Sequence, residues 1–193
     1  MIDSAINFIT QFVNAKIRSI FDLNEDKVLA SSLINPDGSV TDYIENKIII
    51  SLINIEHETY AKTPGTYVPI GNNQYGKIEQ PVYLNLYLLI SANYTAKNYL
   101  EALKMLSAAI AILQSNQSFD ITNNPDLDLS IRRLTLEIHN VPINELSHIW
   151  SGIGAKYVPS IIYKVRMIAI QQNLIKSTAA AITELNTTSD PGN

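Results

Sequence analysis

The chain has 193 residues, and its 14 basic and 18 acidic side chains give a net charge of −4. Without a basic excess the protein has little attraction for phosphates, so nucleic acid is not expected as a partner. The sequence holds no cysteine, which excludes disulfides, thiolate catalysis and zinc bound by cysteine.

The first twenty residues are predicted to form an amphipathic helix. Isoleucine or valine recurs every three or four positions from Ile2 to Ile20, which places these side chains on one helical face. The stretch lacks the basic start of a signal peptide. Because no apolar run in the sequence is long enough to cross a bilayer, no membrane partner is expected.

Two strands are predicted next, at Val28–Ile34 and Lys47–Glu56, since both segments are rich in β-branched residues. The intervening residues 35–38, Asn-Pro-Asp-Gly, are typical of a tight turn. The following stretch, His57–Gln80, contains two prolines and three glycines and is predicted to be a long irregular loop. Loops of this length are usually functional or disordered.

The second half of the chain begins with the clearest strand pattern, Val82–Ser91, in which apolar residues alternate. A helix is predicted from Thr95, which is a suitable N-cap, and a polar connector covers 115–128. Ile131–His139 alternates again and is predicted to be a strand. The apolar stripe of the helix is predicted to comprise Tyr99, Leu100, Leu103, Leu106, Ile110 and Leu113.

A short helix beginning near Pro142 and a long strand at Val158–Ile170 complete the predicted elements. The pattern fades after Gln171, so we expect one domain over 1–170 and a partly disordered C-terminal extension over 171–193. The order of the elements indicates a single α+β domain, with a mostly antiparallel or mixed sheet flanked by helices.

The sequence contains no recognisable catalytic or metal-binding motif. His57 lies between two glutamates, but alternate residues of a strand point apart, so a solvated strand end explains this triplet as well as a metal site does. Glu137 and His139 share a strand face and form either an acid–base pair or, with Arg133, a ladder of surface charges. We therefore expect a protein that is not an enzyme and holds no metal or cofactor.

Several segments resemble one protein family in their order and spacing. They are Met1–Phe8, Glu45–Glu56, Pro81–Leu89 with Ala92-Asn93-Tyr94, Asn144-Glu145-Leu146-Ser147-His148-Ile149-Trp150-Ser151, Lys156-Tyr157-Val158-Pro159-Ser160 and Tyr163-Lys164-Val165-Arg166-Met167. The chain resembles the tail-terminator (tube and sheath cap) proteins of phage-tail-like extracellular contractile injection systems, up to about Met167. The block from Asn144 to Met167 is the most specific part of the resemblance.

The resemblance implies a structural role. Family members are similar to phage tail terminators, form a ring that is typically hexameric, end the inner tube and anchor the last sheath ring. The expected partners are further copies of this chain, the inner tube protein and the sheath protein. Synthesis in the bacterial cytoplasm is implied, followed by incorporation into a particle of a kind that can be released from the cell. The alternative is a small-ligand or peptide-binding domain with the 57–80 loop as its lid.

Assembly contacts are expected in three places. The tyrosines of the long loop offer large contact areas, Trp150 serves either as an interface anchor or in the core, and three basic residues either face an acidic partner or are plain surface charges. An open sheet edge is expected at Val158–Ile170 or its neighbour, where another chain could add a strand. The candidate contacts are Tyr60, Tyr67, Tyr75, Trp150, Lys156, Lys164 and Arg166.

Overall fold

The computed structural model describes residues 1–58 and 82–169, together with the backbone of 67–71, 74–77 and 178–180. The helices are α1 (Ile2–Phe21), α2 (Tyr99–Ser115), which follows a 3-10 turn at Ala96–Asn98, and α3 (Ile143–Ile153). The strands are β1 (Val28–Ala30), β2 (Lys47–His57), β3 (Tyr67–Gly71), β4 (Gln74–Lys77), β5 (Val82–Asn93), β6 (Ser118–Asp120), β7 (Ile131–Ile138), β8 (Ser160–Ala169) and β9 (Thr178–Ala180).

A six-stranded sheet in the order β1-β2-β5-β8-β7-β6 forms the centre of the molecule. Its strands pair antiparallel except β1 and β2, which are parallel. β2 carries a bulge between Leu52 and Asn54, opposite the uninterrupted β5. The predicted α+β domain with a mixed, mostly antiparallel sheet is therefore confirmed.

Helices α1 and α2 cover one face of this sheet. The face of α1 that includes Ile9, Val13 and Ile17 is fully buried, as the isoleucine spacing predicts. From α2, Met105, Ala109 and other apolar side chains pack into the same core. Three phenylalanines, Phe8 and Phe12 of α1 and Phe119 of β6, meet edge to face with ring centroids 4.8–5.2 Å apart, which fixes β6 against α1.

The opposite face is covered by α3 and by the segment that joins β1 to β2. Trp150 of α3, Leu33 and Ile44 of the segment, and Ile49, Leu89 and Ile162 of the sheet form this second core. β2, β5 and β8 are thus buried on both faces where the two cores overlap, and three layers result. α3 ends, as predicted, at a glycine: Gly154 adopts a left-handed conformation with φ 76°.

Two predicted elements differ in extent from those observed. The strand predicted at Val28–Ile34 ends at Ala30, because the turn at 35–38 folds the chain back and leaves Ile34 in an isolated bridge with Val40. The predicted stripe of α2 is wrong at its start, where Tyr99 and Leu100 are exposed. This first helical turn follows directly on the 3-10 turn, and the buried face is Ala102, Met105, Leu106, Ala109, Ile112 and Leu113.

The prediction of an irregular loop over His57–Gln80 is wrong for its described parts. β2 continues to His57, and β3 and β4 pair antiparallel, with β9 on the other side of β4. β9 lies within the segment predicted as a C-terminal extension. β6 was also missed within the polar connector, since it has three residues and only Phe119 is buried.

The predicted open edge at Val158–Ile170 is wrong as well. β8 begins only at Ser160, after Pro159, and lies between β5 and β7 with partners on both sides. Its neighbour β7 is covered at Arg133, Leu134 and Thr135 by β6. An apolar, β-branched strand such as β8 is suited to the centre of a sheet, where both of its faces are covered.

Candidate assembly surface

Polar side chains form a ladder across the α3 side of the sheet, beyond the second core. The Tyr87 hydroxyl donates to Glu56 Oε2 at 2.7 Å, and the His139 ring meets the Tyr87 ring edge to face at 5.0 Å. Lys164 Nζ lies 6.0 Å from the centroid of the same ring. These residues come from β2, β5, β8 and the end of β7, so the register of the sheet brings them together.

Tyr87 is the central residue of this ladder. Burial, and then its hydrogen bond to Glu56, raise the pKa of the Tyr87 hydroxyl to about 12, because both favour the protonated phenol. The ring is contacted by a histidine and an ammonium group and its hydroxyl by a carboxylate. Tyr87 is therefore a neutral, rigid element that orders the charged side chains around it.

The residues considered for catalysis are engaged in surface contacts. Glu137 Oε1 accepts a hydrogen bond from Arg166 Nη2 at 3.2 Å, and His139 packs on Tyr87. His57 is exposed at the end of β2. Within residues 1–58, 82–169 and the short described strands, no three His, Asp or Glu side chains are close enough together to hold a metal ion. This arrangement favours the interpretation as a charge ladder.

A groove of about 840 Å³ opens beside the ladder, between α3 and β2. Apolar side chains form its floor, and the carboxylates of Glu56 and Glu145 lie on its walls. The segment 32–34, where the chain leaves the sheet edge after β1, also lines the groove. Its lining includes Leu33, Leu52, Ile53, Val141, Ile149 and Ile153.

The edge of β2 is open beside this groove. At its start, Ile48 N–H donates to Lys27 O at 2.8 Å and Ser31 N–H donates to Ile50 O at 3.2 Å, so β1 covers the edge. Beyond Ser51, β2 pairs on one side only, with β5, among the residues that the structure describes. Leu52 and Ile55 are 37% and 45% exposed there, an unusual amount of apolar surface for a strand edge.

A second exposed apolar surface, the end face, lies where β2 begins and α2 starts. Tyr43 is 87% exposed and Leu100 80%, and Tyr99 lies beside Leu100. Asn46 joins the two segments, since its Oδ1 accepts from Asn98 Nδ2 at 3.1 Å. Tyr43 has φ 63°, a conformation that costs an L-residue on the order of 1 kcal/mol. The molecule thus holds this ring in solvent at some cost.

The predicted contact residues lie in different parts of the molecule. Trp150 is only 4% exposed and lies in the second core, with the exposed Tyr157 edge-on at 5.5 Å. Lys156 is exposed in the loop before β8, apart from Lys164 and Arg166, which share a strand face and contact Tyr87 and Glu137. The basic group is therefore divided.

Two of the three predicted tyrosine contacts lie in the second, three-stranded sheet. Tyr67 pairs with Lys77, and Tyr75 pairs with Pro69 and Ala179, in the β3-β4-β9 sheet. Tyr60 lies outside the described residues.

Sequence reasoning missed the open edge of β2 and the end face. The signal for the edge was present, because the second half of β2 has polar residues at Asn54, Glu56 and His57, whereas the first half is almost entirely apolar. The end face has no comparable signal. It depends on the 3-10 turn that shifts the start of α2, and this turn is set by tertiary contacts to Asn46.

The fold of the chain is similar to that of two solved structures. The chain is similar to the PVC sheath/tube terminator of an extracellular contractile injection system in its extended state, with a TM-score of 0.60, 16% identity, and coverage of 95% of this chain and 64% of that one. It is also similar to the anti-feeding prophage cap, an AFP tube terminating cap, with a TM-score of 0.56, 16% identity, and coverage of 91% and 60%. The chain thus spans less than two thirds of the length of either structure.

The sequence comparisons agree with this placement. No curated protein matches the sequence, and no helix in the described ranges is long and apolar enough to cross a membrane. The family model described as the Pvc16 N-terminal domain matches residues 5–184, which is most of the chain. The predicted relationship to tail terminators of contractile injection systems is confirmed, and the chain belongs to the Pvc16 N-terminal domain family.

Proposed function

We propose that the chain is a structural cap, which ends the inner tube and anchors the last sheath ring of a contractile injection system as a hexameric ring. The observation that carries this proposal is the family match over residues 5–184. The fold adds support, since two similar structures are tube or sheath terminators. The role is structural rather than catalytic. The ladder supports this, because Glu56, His139 and Lys164 are engaged with Tyr87, and Glu137 is paired with Arg166.

The proposed partners are further copies of this chain, the tube protein and the sheath protein. A ring requires a heterologous interface, in which one patch meets a different patch on the next copy. The end face with Tyr43, Tyr99 and Leu100 is our candidate for one side of the ring contact. Exposed tyrosines supply large contact areas with little loss of side-chain entropy.

The candidate contacts from the sequence remain part of the proposal. Lys156, exposed and next to the exposed Tyr157, is suited to meet an acidic surface of the tube or sheath. Lys164 and Arg166 already contact Tyr87 and Glu137, so they would contribute to an interface mainly through their contact surface rather than through their charge. Trp150 would act indirectly by holding Tyr157. The three tyrosines of the 57–80 segment, Tyr60, Tyr67 and Tyr75, would contact a neighbouring subunit.

The location proposed for the protein follows its role. The chain would be made in the bacterial cytoplasm, join the end of a growing particle there, and leave the cell with particles that are released. This is supported by the similar terminator, which is part of an extracellular contractile injection system.

The decisive experiment is particle length, measured by negative-stain electron microscopy in a host that expresses the whole apparatus with and without this gene. Overlong tubes, uncapped tubes or collapsed sheaths in the deletion strain are expected, and wild-type gene supplied from a plasmid should restore normal particles. A length distribution identical to wild type, with complete sheaths, would refute the cap function.

The groove of about 840 Å³ beside α3 favours one alternative, a small-ligand or peptide-binding domain. That function predicts a monomer that binds a saturable ligand, whereas the cap function predicts assembly on tubes. Because His139 lines the groove, His139→Ala should alter ligand binding in the alternative and leave particle length unchanged in a cap.

A further inference from the structure

The backbone of β2 beyond Ser51 presents unpaired groups at the sheet edge. Residues on a strand point their N–H and C=O groups alternately to either side, and Glu58 N–H donates inward to Tyr83 O at 2.9 Å. The N–H and C=O groups of Ile55 and His57 therefore point outward. No described residue pairs with them, so within the described part of the chain these groups are left available for hydrogen bonds to an added strand.

The two faces of this edge differ in the side chains that they present. Leu52 and Ile55 pair with Leu88 and Leu86 of β5, which belong to the core on the α1 and α2 side, and Leu52, next to the bulge, also lines the groove. Asn54 and Glu56 pair with Tyr87 and Asn85 and lie on the groove side. An added strand would thus meet apolar side chains on one face, and on the other the polar Asn54 and the acidic Glu56 beside the apolar groove residue Ile53.

Charge identifies the residues that such a strand would carry on its groove side. Glu56 and Glu145 are the acidic groups lining the groove, and His139 is the other titratable one besides Tyr87. No Lys or Arg is among the described residues that line the groove, and Lys164 lies over the Tyr87 ring. Arg166 is already paired with Glu137. The groove lining therefore favours basic side chains on an incoming segment.

We propose that the open β2 edge, residues 52–57, binds an extended segment of another protein of the particle, in which apolar residues alternate with Lys or Arg. The segment adds a seventh strand to the sheet and covers Leu52 and Ile55 with its apolar residues. Its basic residues lie over Glu56 and toward Glu145. The inference rests on the proposed function only in placing the partner within the particle.

A second copy of this chain does not match the edge. The opposite edge of the sheet is β6, which has three residues, Ser118–Asp120. Its central side chain, Phe119, is already buried against α1, and Asp120 would bring a further carboxylate toward an acidic groove. A foreign segment with basic residues is therefore favoured over edge-to-edge pairing of two copies.

The test is site-specific photo-crosslinking in intact particles. A benzoylphenylalanine replaces Ile55, and in a matched variant it replaces Ser107, an exposed residue of α2. We expect the probe at position 55, but not at 107, to crosslink to one segment of a different particle protein, identified by mass spectrometry and alternating apolar with basic residues. A crosslink to another copy of this chain would overturn the proposal.

Two substitutions separate backbone pairing from charge. Ile55→Pro removes an N–H that points outward, and proline is tolerated at a strand edge where the hydrogen bonds to the neighbouring strand, here β5, stay intact. The matched control, Ile55→Val, keeps the N–H. Glu56→Lys reverses the charge of the groove, and Glu45→Lys reverses an exposed glutamate elsewhere. With a probe at His57, the crosslink yield should fall at least tenfold in Ile55→Pro and in Glu56→Lys. It should stay near wild type in the controls Ile55→Val and Glu45→Lys.

The outcomes distinguish failure of this inference from failure of the cap function. If the chain is present in particles and its deletion disturbs their length, but position 55 gives no crosslink, the edge proposal is wrong and the cap stands. If the chain is absent from purified particles, both are wrong. Circular dichroism of the purified Ile55→Pro chain shows whether it folds, and the probe variants supply the answer if it does not.

Discussion

Asn14 links the first helix to the first strand through hydrogen bonds that only an amide can make. Its Oδ1 accepts from the backbone N–H groups of Lys27 and Val28 at 2.9 and 3.0 Å, and its Nδ2 donates to Asp26. The side chain is 9% exposed, so water cannot easily replace these contacts. A buried donor left without a partner costs more than the net value of the bond that it made.

Replacing Asn14 with alanine is therefore expected to destabilise the protein by roughly 2 kcal/mol. Urea unfolding followed by circular dichroism measures the free energy of unfolding. Asn7→Ala on the exposed face of α1 is the matched control and should change it by less than about 0.5 kcal/mol. Equal effects of the two substitutions would show that Asn14 contributes helix propensity rather than a link between elements.

Tyr87 and Tyr94 predict how stability changes at high pH. Burial is the main cause that raises the pKa of each hydroxyl to about 12. The unfolded chain releases these protons near pH 10, whereas the folded chain retains them. The contribution to stability is therefore complete below pH 10 and is lost as the pH rises toward 12.

Absorbance of tyrosinate at 295 nm should thus show a late phase, near pH 12, among the ten tyrosines. Tyr87→Phe and Tyr94→Phe should each remove part of that phase, and the double variant should remove most of it. A late phase of unchanged size in the double variant would mean that neither hydroxyl is shielded as the structure indicates.

At the scale of elements, two glycines at the end of α3 have opposite roles. Gly154 ends the helix with φ 76°, and its N–H donates to Trp150 O and Ser151 O. Gly152 lies inside the helix, and a Cβ added at either position would meet nothing within 4 Å. Backbone conformation alone therefore distinguishes them.

We expect Gly154→Ala to destabilise the protein by about 1 kcal/mol, because a non-glycine residue is strained at this φ. Gly152→Ala should stabilise it by up to about 1 kcal/mol, since alanine is the better helix former. Thermal unfolding by calorimetry measures both. Changes of the same sign would contradict the assigned helix end.

The elements that could be predicted are those whose own sequence determines them. The isoleucine spacing of α1 and the alternation of β5 and β7 were sufficient, since α1 buries one continuous stripe and both strands carry apolar residues at alternate positions. β1 and β6 have three residues each, too few for a period to be read. Their positions depend on partners distant in sequence, such as Asn14 for β1 and Phe8 for β6.

The candidate surface was less predictable than the fold. Whether a strand lies at an edge depends on the order of the sheet, and the alternation within β8 is equally compatible with a central or an edge position. The open part of β2 exists because segment 31–34 turns onto the α3 side instead of continuing along the edge. The polar residues in the second half of β2 indicate that this half is exposed, but they do not show that the neighbouring segment leaves the edge.

At the scale of the whole molecule, the two ends of the sheet's strands differ. The end face has Tyr43, Tyr99 and Leu100 beside the start of α2, whereas the open half of β2 lies toward the other end of that strand. A closed ring that also binds further partners requires different patches on each subunit. A single patch that pairs with itself would give only a two-fold dimer.

The ring proposal predicts different behaviour for two equally exposed leucines. Leu100, on the end face, and Leu129, in the turn before β7, are both 80% exposed. Leu100→Ser and Leu129→Ser should each leave the stability of the single chain nearly unchanged. Burial of a leucine at an interface contributes about 2 kcal/mol, so Leu100→Ser should weaken each ring contact tenfold or more.

Native mass spectrometry of caps released from purified particles is the measurement. Wild type and Leu129→Ser should give a species of six times the 21.5 kDa chain mass, and Leu100→Ser should give smaller species at the same concentration. A two-fold species in the wild type would refute the heterologous ring. Six-fold species in all three proteins would support the ring but show that its contact lies outside the end face. A well-packed interface is weakened by the loss of a central apolar side chain.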